Sequence, residues 1–340
     1  QIIRKKRSEM KINKTKKTKK IVLLSAITAL VMGMGVLSGC GGIGAEPEKP
    51  INPLTGIEIP EGTELPGRPI QVSIDNVGAA VPQSNLSKTD LVYEFPVEGL
   101  QTRLQAIYYS QFPEFFGPIR STRPYFIDVT REYKAIFIGH GWSGKAKKIL
   151  LSDVVPYINA MNSEVPFYRV KDKPAPHNSY IEFANVQAKI DREGWWDEKQ
   201  EIEPFGFLSE DEIYAMNPTS ADLPEPEVDE DGNEVEREAV VVDSESQEAT
   251  AKDAKHIDFE YAHSRFEYTY DQETGLYTRT INNGEKYIDK ETGEPITMKN
   301  ILVQKVSSEV YDEKGRLNID MCEGGEAMLF TQGKVIKGTW

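Results

Sequence analysis

The chain has 340 residues, with 40 basic and 54 acidic side chains, 4 histidines and 2 cysteines. Its acidic excess repels nucleic acid and anionic lipid, so binding to a phosphate backbone is excluded as a function class. The histidines lack the spacing of a zinc site on one helix, and no cofactor motif is complete, so neither metal nor cofactor is expected.

The first forty residues are an export signal rather than part of the fold. From Arg4 to Lys20 there are ten Lys or Arg and one acid, Glu9; Met10 is the first methionine, so residues 1–9 are read as lying upstream of the start. The uncharged apolar run 21–37 is shorter than the roughly 20 residues of a comfortable spanning helix. It ends in Leu37-Ser38-Gly39-Cys40, small residues for a peptidase cleft followed by a thiol that can take a diacylglycerol. This order defines a lipoprotein signal peptide over 1–39 and a lipid anchor on Cys40 that holds the chain to the cell membrane. The alternative is an uncleaved membrane anchor with an incidental cysteine. Either way the remainder faces outside the cytoplasm. The leader holds 10 basic and 1 acidic side chains, which leaves 30 against 53 and a formal charge of −23. With Cys40 acylated, Cys322 has no intrachain partner and reads as a small buried hydrophobe.

Residues 40–51 are a Gly-, Glu- and Pro-containing tether. The first globular region is expected over 52–207. Ile70-Gln71-Val72-Ser73-Ile74-Asp75 alternates as a half-buried strand does. Residues 90–98 and 101–110 read as two strands joined at Gly99-Leu100. Residues 112–124 form a loop, and Pro124 opens a helix through Tyr133. Ala135-Ile136-Phe137-Ile138 is a buried strand, 143–151 a helix, and 165–180 irregular. Residues 181–193 return to helical spacing and Gly194 ends them. Residues 208–255 are an acidic linker or insertion, densest from Pro218, in which Val240-Val241-Val242 could form a strand. From 256 to 340 aromatic residues alternate between turn signals, including Asp271 to Gly275 and Glu313 to Gly315, so this region is mostly β. The fold class is α+β, a mixed α/β domain followed by a mostly β domain.

Several stretches carry a family likeness: Asn52-Pro53-Leu54-Thr55-Gly56, Arg68-Pro69, Ile74-Asp75-Asn76, Pro82-Gln83-Ser84, Asp90-Leu91-Val92-Tyr93-Glu94, Val97-Glu98-Gly99, Thr102-Arg103, Gly117-Pro118-Ile119-Arg120-Ser121-Thr122-Arg123-Pro124, Ala175-Pro176-His177-Asn178 and Gly338-Thr339-Trp340. Together they resemble the YerB-like lipoproteins of Gram-positive bacteria, defined by domain of unknown function 3048. The resemblance implies two domains and no particular reaction. It also implies that the β domain continues past Trp340.

Four constellations could carry chemistry. With a two-residue turn at Gly99-Leu100, Pro96 faces Arg103 and Glu94 faces Gln105. Glu94, Glu98 and Arg103 then share one face, and Tyr93, Phe95 and Val97 share the other with Thr102, Leu104 and Ala106. Glu94 and Glu98 would be roughly 13 Å apart, too far for a carboxylate pair acting on one bond; a surface ion cluster around Arg103 is the alternative. Arg120 and Arg123 sit at a helix start, whose own dipole is positive, so an anion is expected between them. That anion is either an external ligand or a protein side chain such as Asp75, Glu94 or Asp128.

Gly139-His140-Gly141-Trp142-Ser143-Gly144-Lys145 nearly matches a P-loop, but Ala146 lacks the hydroxyl that would hold Mg²⁺. The same stretch misses G-x-S-x-G, so Ser143 is weakly supported as a nucleophile. His177 lies in a proline-stiffened loop, as a ligand-facing or a structural histidine.

Three functions follow. A binding module for an anionic wall component would use Asp75, Asn76, Glu94, Arg103, Arg120, Arg123, His140, His177 and Asn178. An envelope hydrolase would pair His140 or His177 with one of Asp75, Glu94 or Glu98 as acid and base. A structural partner of envelope proteins would use the β domain. Clustering of these residues in one concave pocket favours the first two over the third, and a histidine–carboxylate contact at hydrogen-bond distance inside that pocket favours the hydrolase.

Overall fold

The computed structural model describes residues 50–152, 155–203, 205–207, 251–261, 264–281 and 284–340. The leader, Cys40, most of the acidic segment with its Val240-Val241-Val242 and His263 lie outside the described residues.

The N-terminal half contains eight strands and three helices. They are β1 (Ile70–Asp75), β2 (Leu91–Val97), β3 (Gln101–Tyr108), β4 (Phe115–Phe116), α1 (Pro124–Glu132), β5 (Ile136–Gly139), α2 (Gly144–Leu150), β6 (Tyr157–Asn159), β7 (Tyr168–Arg169), β8 (Ser179–Glu182) and α3 (Phe183–Glu193). Five strands make the main sheet in the order β2-β3-β1-β5-β6. β1 is antiparallel to β3 and parallel to β5, and β5 is parallel to β6. A small sheet, β4-β8-β7, and α3 cover one face; Ile181, Val186 and Ile190 pack there with Ile70, Val72, Ile74, Leu104 and Tyr108. α1 covers the other face, where Tyr125, Phe126 and Val129 meet Phe95, Val97, Ile107 and Phe137.

β1 is buried on both faces, not half-buried as its alternation suggests. Gln71 and Ser73 lie under α1 and hydrogen-bond there, with Gln71 Oε1 left without a partner among the described residues. The Gln71 amide donates to Gln105 Oε1 at 3.0 Å and to the Phe126 carbonyl at 2.9 Å. Buried polar groups with partners are tolerated, so polarity in a strand need not mean solvent.

The C-terminal half holds β9 (Lys252–Asp253), β10 (His256–Tyr261), β11 (Ser264–Asp271), β12 (Leu276–Ile281), β13 (Glu285–Lys286), β14 (Thr297–Met298), β15 (Asn300–Gln304), β16 (Ser308–Val310), β17 (Leu317–Ile319), β18 (Glu326–Thr331) and β19 (Lys334–Thr339). β10 to β14 form one sheet, β15-β18-β19-β9 a second and β16–β17 a hairpin. Ile257, Phe266, Tyr268, Tyr277 and Phe330 fill the core between them. The fold is therefore α+β, with helices in the first half and strands alone in the described second half. The two halves share cores. Tyr287 is buried with Ile74 and Leu104, while Ile319 and Leu317 pack with Tyr125 and Phe126.

Three local expectations are corrected. The β2–β3 connection is the three-residue turn Glu98–Leu100, so Phe95, not Pro96, faces Arg103, and Leu104 faces Glu94. A one-residue shift reverses every face. Arg103 therefore lies under α1 beside Phe95, and Glu94 lies on the opposite side of the sheet with Leu104. Residues expected to be loop or irregular supply β4, β7 and the first half of β8, and Ile181 and Glu182, expected to open the helix, complete β8 because they pair with Phe116 and Phe115. Cys322 is exposed, in a turn where its N–H donates to Asp320 Oδ1 at 2.8 Å.

Candidate functional site

The parallel strands β1, β5 and β6 end together, and ligands of open α/β sheets bind beyond such carboxyl ends. β1 ends at Asp75, β5 leads into His140, and β6 ends at Asn159. The Asn159 side chain is fully buried and shapes the loop after β5. Its amide donates to the Gly141 carbonyl at 3.0 Å and its Oδ1 accepts from the Gly141 N–H at 3.0 Å. Ser143 caps α2, accepting from the Ala146 N–H at 3.3 Å, and it is completely buried. That position rules against Ser143 as a nucleophile.

Asp75 is the acid at the centre, 1% exposed. Its Oδ2 lies 2.7 Å from His177 Nδ1 and 3.1 Å from Arg120 Nε. The Arg120 contact is off the line that a hydrogen bond needs, so it acts as an ion pair. His177 and Arg120 each keep a fifth of their side chains exposed. Among the described residues the two terminal nitrogens of Arg120 meet no acceptor. His140 Nδ1 lies 2.6 Å from Ser179 Oγ, and its ring stands edge-on to Phe167. Burial lowers the His140 pKa, and the charges of Arg169 and Arg120 lower it further, which places both guanidinium groups nearby. Asn178 accepts from Arg169 Nη1 at 2.7 Å and donates to the Val170 carbonyl, so it anchors Arg169 rather than facing a ligand.

The remaining arginines have protein partners. Arg123 makes a two-pronged contact with Glu98, including a 3.0 Å bond from Nε, and Arg103 Nη2 reaches the same carboxylate at 3.4 Å. Arg103 also donates to the Ser121 carbonyl at 2.8 Å. Burial opposes ionisation of Glu98, but these bonds and charges prevail and hold its pKa down at about 2. The sequence had offered Asp75, Glu94 or Asp128 as the anion for Arg120 and Arg123. Arg120 takes Asp75 and Arg123 takes Glu98, while Asp128 pairs with Arg131 and Glu94 with Arg279.

Glu94 and Asn76 belong to a second network beside the first. Glu94 accepts from Asn76 at 2.9 Å, from Thr102 at 2.7 Å and from Arg279 Nη1 at 2.8 Å. Gln83 donates to Asn76 Oδ1 and to the Asp75 carbonyl, each at 2.8 Å, and Tyr287 donates to Asn76 Oδ1 at 2.8 Å. Arg279 is nearly buried, with the Phe266 and Tyr287 rings 4.2 and 4.6 Å from its guanidinium carbon. A shallow recess lined by Asn76, Val81, Phe266, Arg279 and Tyr287 opens there, next to Asp75 but not lined by it.

The nine residues singled out from the sequence thus divide. Asp75, Arg120, His140 and His177 gather at one corner; Arg103 and Arg123 are neutralised beside it; Asn76 and Glu94 form the second network; Asn178 lies behind Arg169. Sequence reasoning grouped Glu98 with Arg103 but missed its pairing with Arg123, and it missed Arg169, Ser179, Gln83, Arg279 and Tyr287 as members of these networks. A lone arginine alternating with Tyr277 on an aromatic strand was the available signal for Arg279. Among the described residues no group of His, Cys, Asp and Glu is arranged to hold a metal ion.

The chain belongs to the family described as protein of unknown function DUF3048: its N-terminal domain matches residues 54–196 and its C-terminal domain residues 255–340. It is 34% identical over 289 residues to "Putative lipoprotein YerB" of Bacillus subtilis strain 168, covering 85% of this chain and 77% of that one. It also resembles the crystal structure of Bacillus subtilis YerB, with a TM-score of 0.67, 31% identity and coverage of 86% and 87% of the two chains.

Proposed function

We propose that this is an outward-facing lipoprotein, tethered through Cys40, whose Asp75–Arg120–His177 corner binds an anionic component of the cell envelope. The observation that carries this reading is the state of Arg120. Arg103, Arg123 and Arg279 are each tied to protein acceptors, whereas Arg120 meets Asp75 only through Nε and is partly exposed. Arginine's fork suits a carboxylate or phosphate, the Arg169 guanidinium adds a second positive charge beside His140, and His177 brings a ring to the same carboxylate as Arg120. The −23 charge of the mature chain argues against long-range steering, so affinity rests on local geometry. The name of the Bacillus relative supports the anchor.

The test is a thermal-shift titration with glycerol 3-phosphate and with D-alanyl-D-alanine, which carry the two anion types of wall polymers. At least one raises the melting temperature of the wild type, and Arg120→Ala and His177→Ala lose that rise while keeping the unliganded melting temperature. No shift with either probe rejects the site.

A second reading, an envelope hydrolase, rests on the 2.7 Å contact between His177 and Asp75. A neutral His177 donating Nδ1–H to a buried carboxylate leaves Nε2 as a base, the arrangement of a general base held by an acid. Release of fragments from purified cell wall by the wild type, absent in His177→Ala, supports it; equal release by both rejects it.

A further inference from the structure

Among the described residues Phe205 and Phe207, each 41% exposed, stand together beside the turn that carries Ile57 (68%). Two short segments bring them there. The N–H of Asn52 donates to the Ile57 carbonyl at 2.8 Å, closing the first as a tight turn, and the N–H of Phe205 donates to the Pro53 carbonyl at 3.1 Å, fixing the second to it. The Phe205 and Phe207 rings stand 6.5 Å apart, edge to face. Phe207 lies flat over Gly56, where a β-carbon would come within 2.8 Å of the ring. Gly56 also has φ +70°, so the close approach and the backbone both require glycine. Phe205 leans on Tyr133, which packs in the core beneath α1, so the patch has a rigid base.

Its place in the chain says what covers it. Ile51 follows Cys40 by a stretch of ten residues, 41–50. Ten residues reach at most about 35 Å when fully extended. A lipid on Cys40 therefore keeps this turn within about that distance of the bilayer. Scattered exposed apolar residues are ordinary, but a cluster at the root of an anchor is placed for insertion at the interface. We propose that Ile57, Phe205 and Phe207 dock the folded chain against the outer leaflet that holds its anchor. The proposal rests on lipidation of Cys40. The exposed acids Glu58, Glu61, Glu201 and Glu203 flank the patch and oppose an anionic surface. Contact is thus made by apolar insertion against charge repulsion, and added salt, which screens that repulsion, deepens it.

The experiment uses the full lipidated chain in phosphatidylglycerol–phosphatidylethanolamine vesicles, with Cys322→Ser to remove the exposed thiol. A nitrobenzoxadiazole label is placed at Ile57→Cys or Phe207→Cys, and at Leu302→Cys in β15 as control, with lipids brominated on their chains as quencher. Docking predicts loss of emission at 57 and 207, more at high salt, and unchanged emission at 302. A chain that floats with the vesicles yet keeps its emission at 57 and 207 overturns the patch alone. A chain that takes no labelled fatty acid and does not float overturns the anchor and the patch with it. A dimer in sedimentation that Phe207→Ser dissolves would assign the patch to a second copy of the chain and also overturn the proposal.

Discussion

Glu98 shows how one residue ties the turn of a hairpin to the start of a helix. It follows β2, and Arg123 is the residue before α1; their contact joins the two ends. Its folded pKa of about 2, against an ordinary 4.5, means that the unfolded chain binds a proton more readily. The carboxylate therefore contributes stability that is fully present above about pH 4.5 and is lost as pH falls toward 2. The shift corresponds to roughly 3 kcal/mol. Glu98→Gln should lose stability at neutral pH and flatten the acid limb of the urea midpoint plotted against pH; an unchanged limb rejects the pairing. Arg123→Ala leaves Glu98 partly buried beside Arg103 only, and should cost about 3–5 kcal/mol in the same measurement. Arg120→Ala should cost far less, because Asp75 keeps His177. That contrast separates a structural arginine from one available to a ligand.

Arg279 on β12 and Glu94 on β2 join two elements that are 185 residues apart in sequence. The pair is almost dry and is sandwiched by aromatic rings, so removing one partner strands a buried charge. Arg279→Ala should therefore lower stability by about 3–5 kcal/mol in chemical denaturation. The exposed pair Arg265–Asp258 on the β10–β11 hairpin is the internal comparison, and Arg265→Ala should cost no more than about 1 kcal/mol. Equal losses would show that burial of the Arg279 pair is not maintained in solution. The segment after β13 repeats the same device. Asp289 is fully buried and accepts from the N–H groups of Asn85 and Ser87, and Glu291 accepts from Ser84. One loop of the β half thereby fixes the turn that leads from Asn76 into β2.

At the scale of the molecule, residues 49–340 are one compact unit. The acidic stretch 208–255, read as a linker or insertion, should be where a protease cuts first, since it is rich in acids and poor in aromatics. Because Tyr287, Leu317 and Ile319 sit in N-terminal cores, the two pieces should then co-elute from a sizing column without denaturant. Separation of the pieces would refute the shared core, and a first cut elsewhere would refute the linker. Export should add label from a fatty acid to the wild type and not to Cys40→Ala.

The α+β class, β1, α1, β5, α2 and the run of β turns are all legible in sequence because each depends on neighbours within a few positions. Proline opens α1, and glycine closes α3. Asp75, Arg120 and His140 were singled out beside the ends of elements and His177 in a proline-stiffened loop, and the fold brings Asp75 into contact with both Arg120 and His177. What the sequence could not supply was partnership. Glu98 belongs to Arg123 and not to a row with Glu94, because a third turn residue moved the register by one and sent Arg103 beneath α1. Glu94 found Arg279, and Asn76 found Tyr287, only when the β half closed over the first. Such pairings follow from which faces meet after folding, and at separations near 200 residues no local pattern encodes them. Burial likewise was decided by the tertiary structure. A polar face of β1 that reads as solvent-facing is dry because α1 covers it, and Cys322, which reads as a core residue, is exposed because a turn at Asp320 turns it outward.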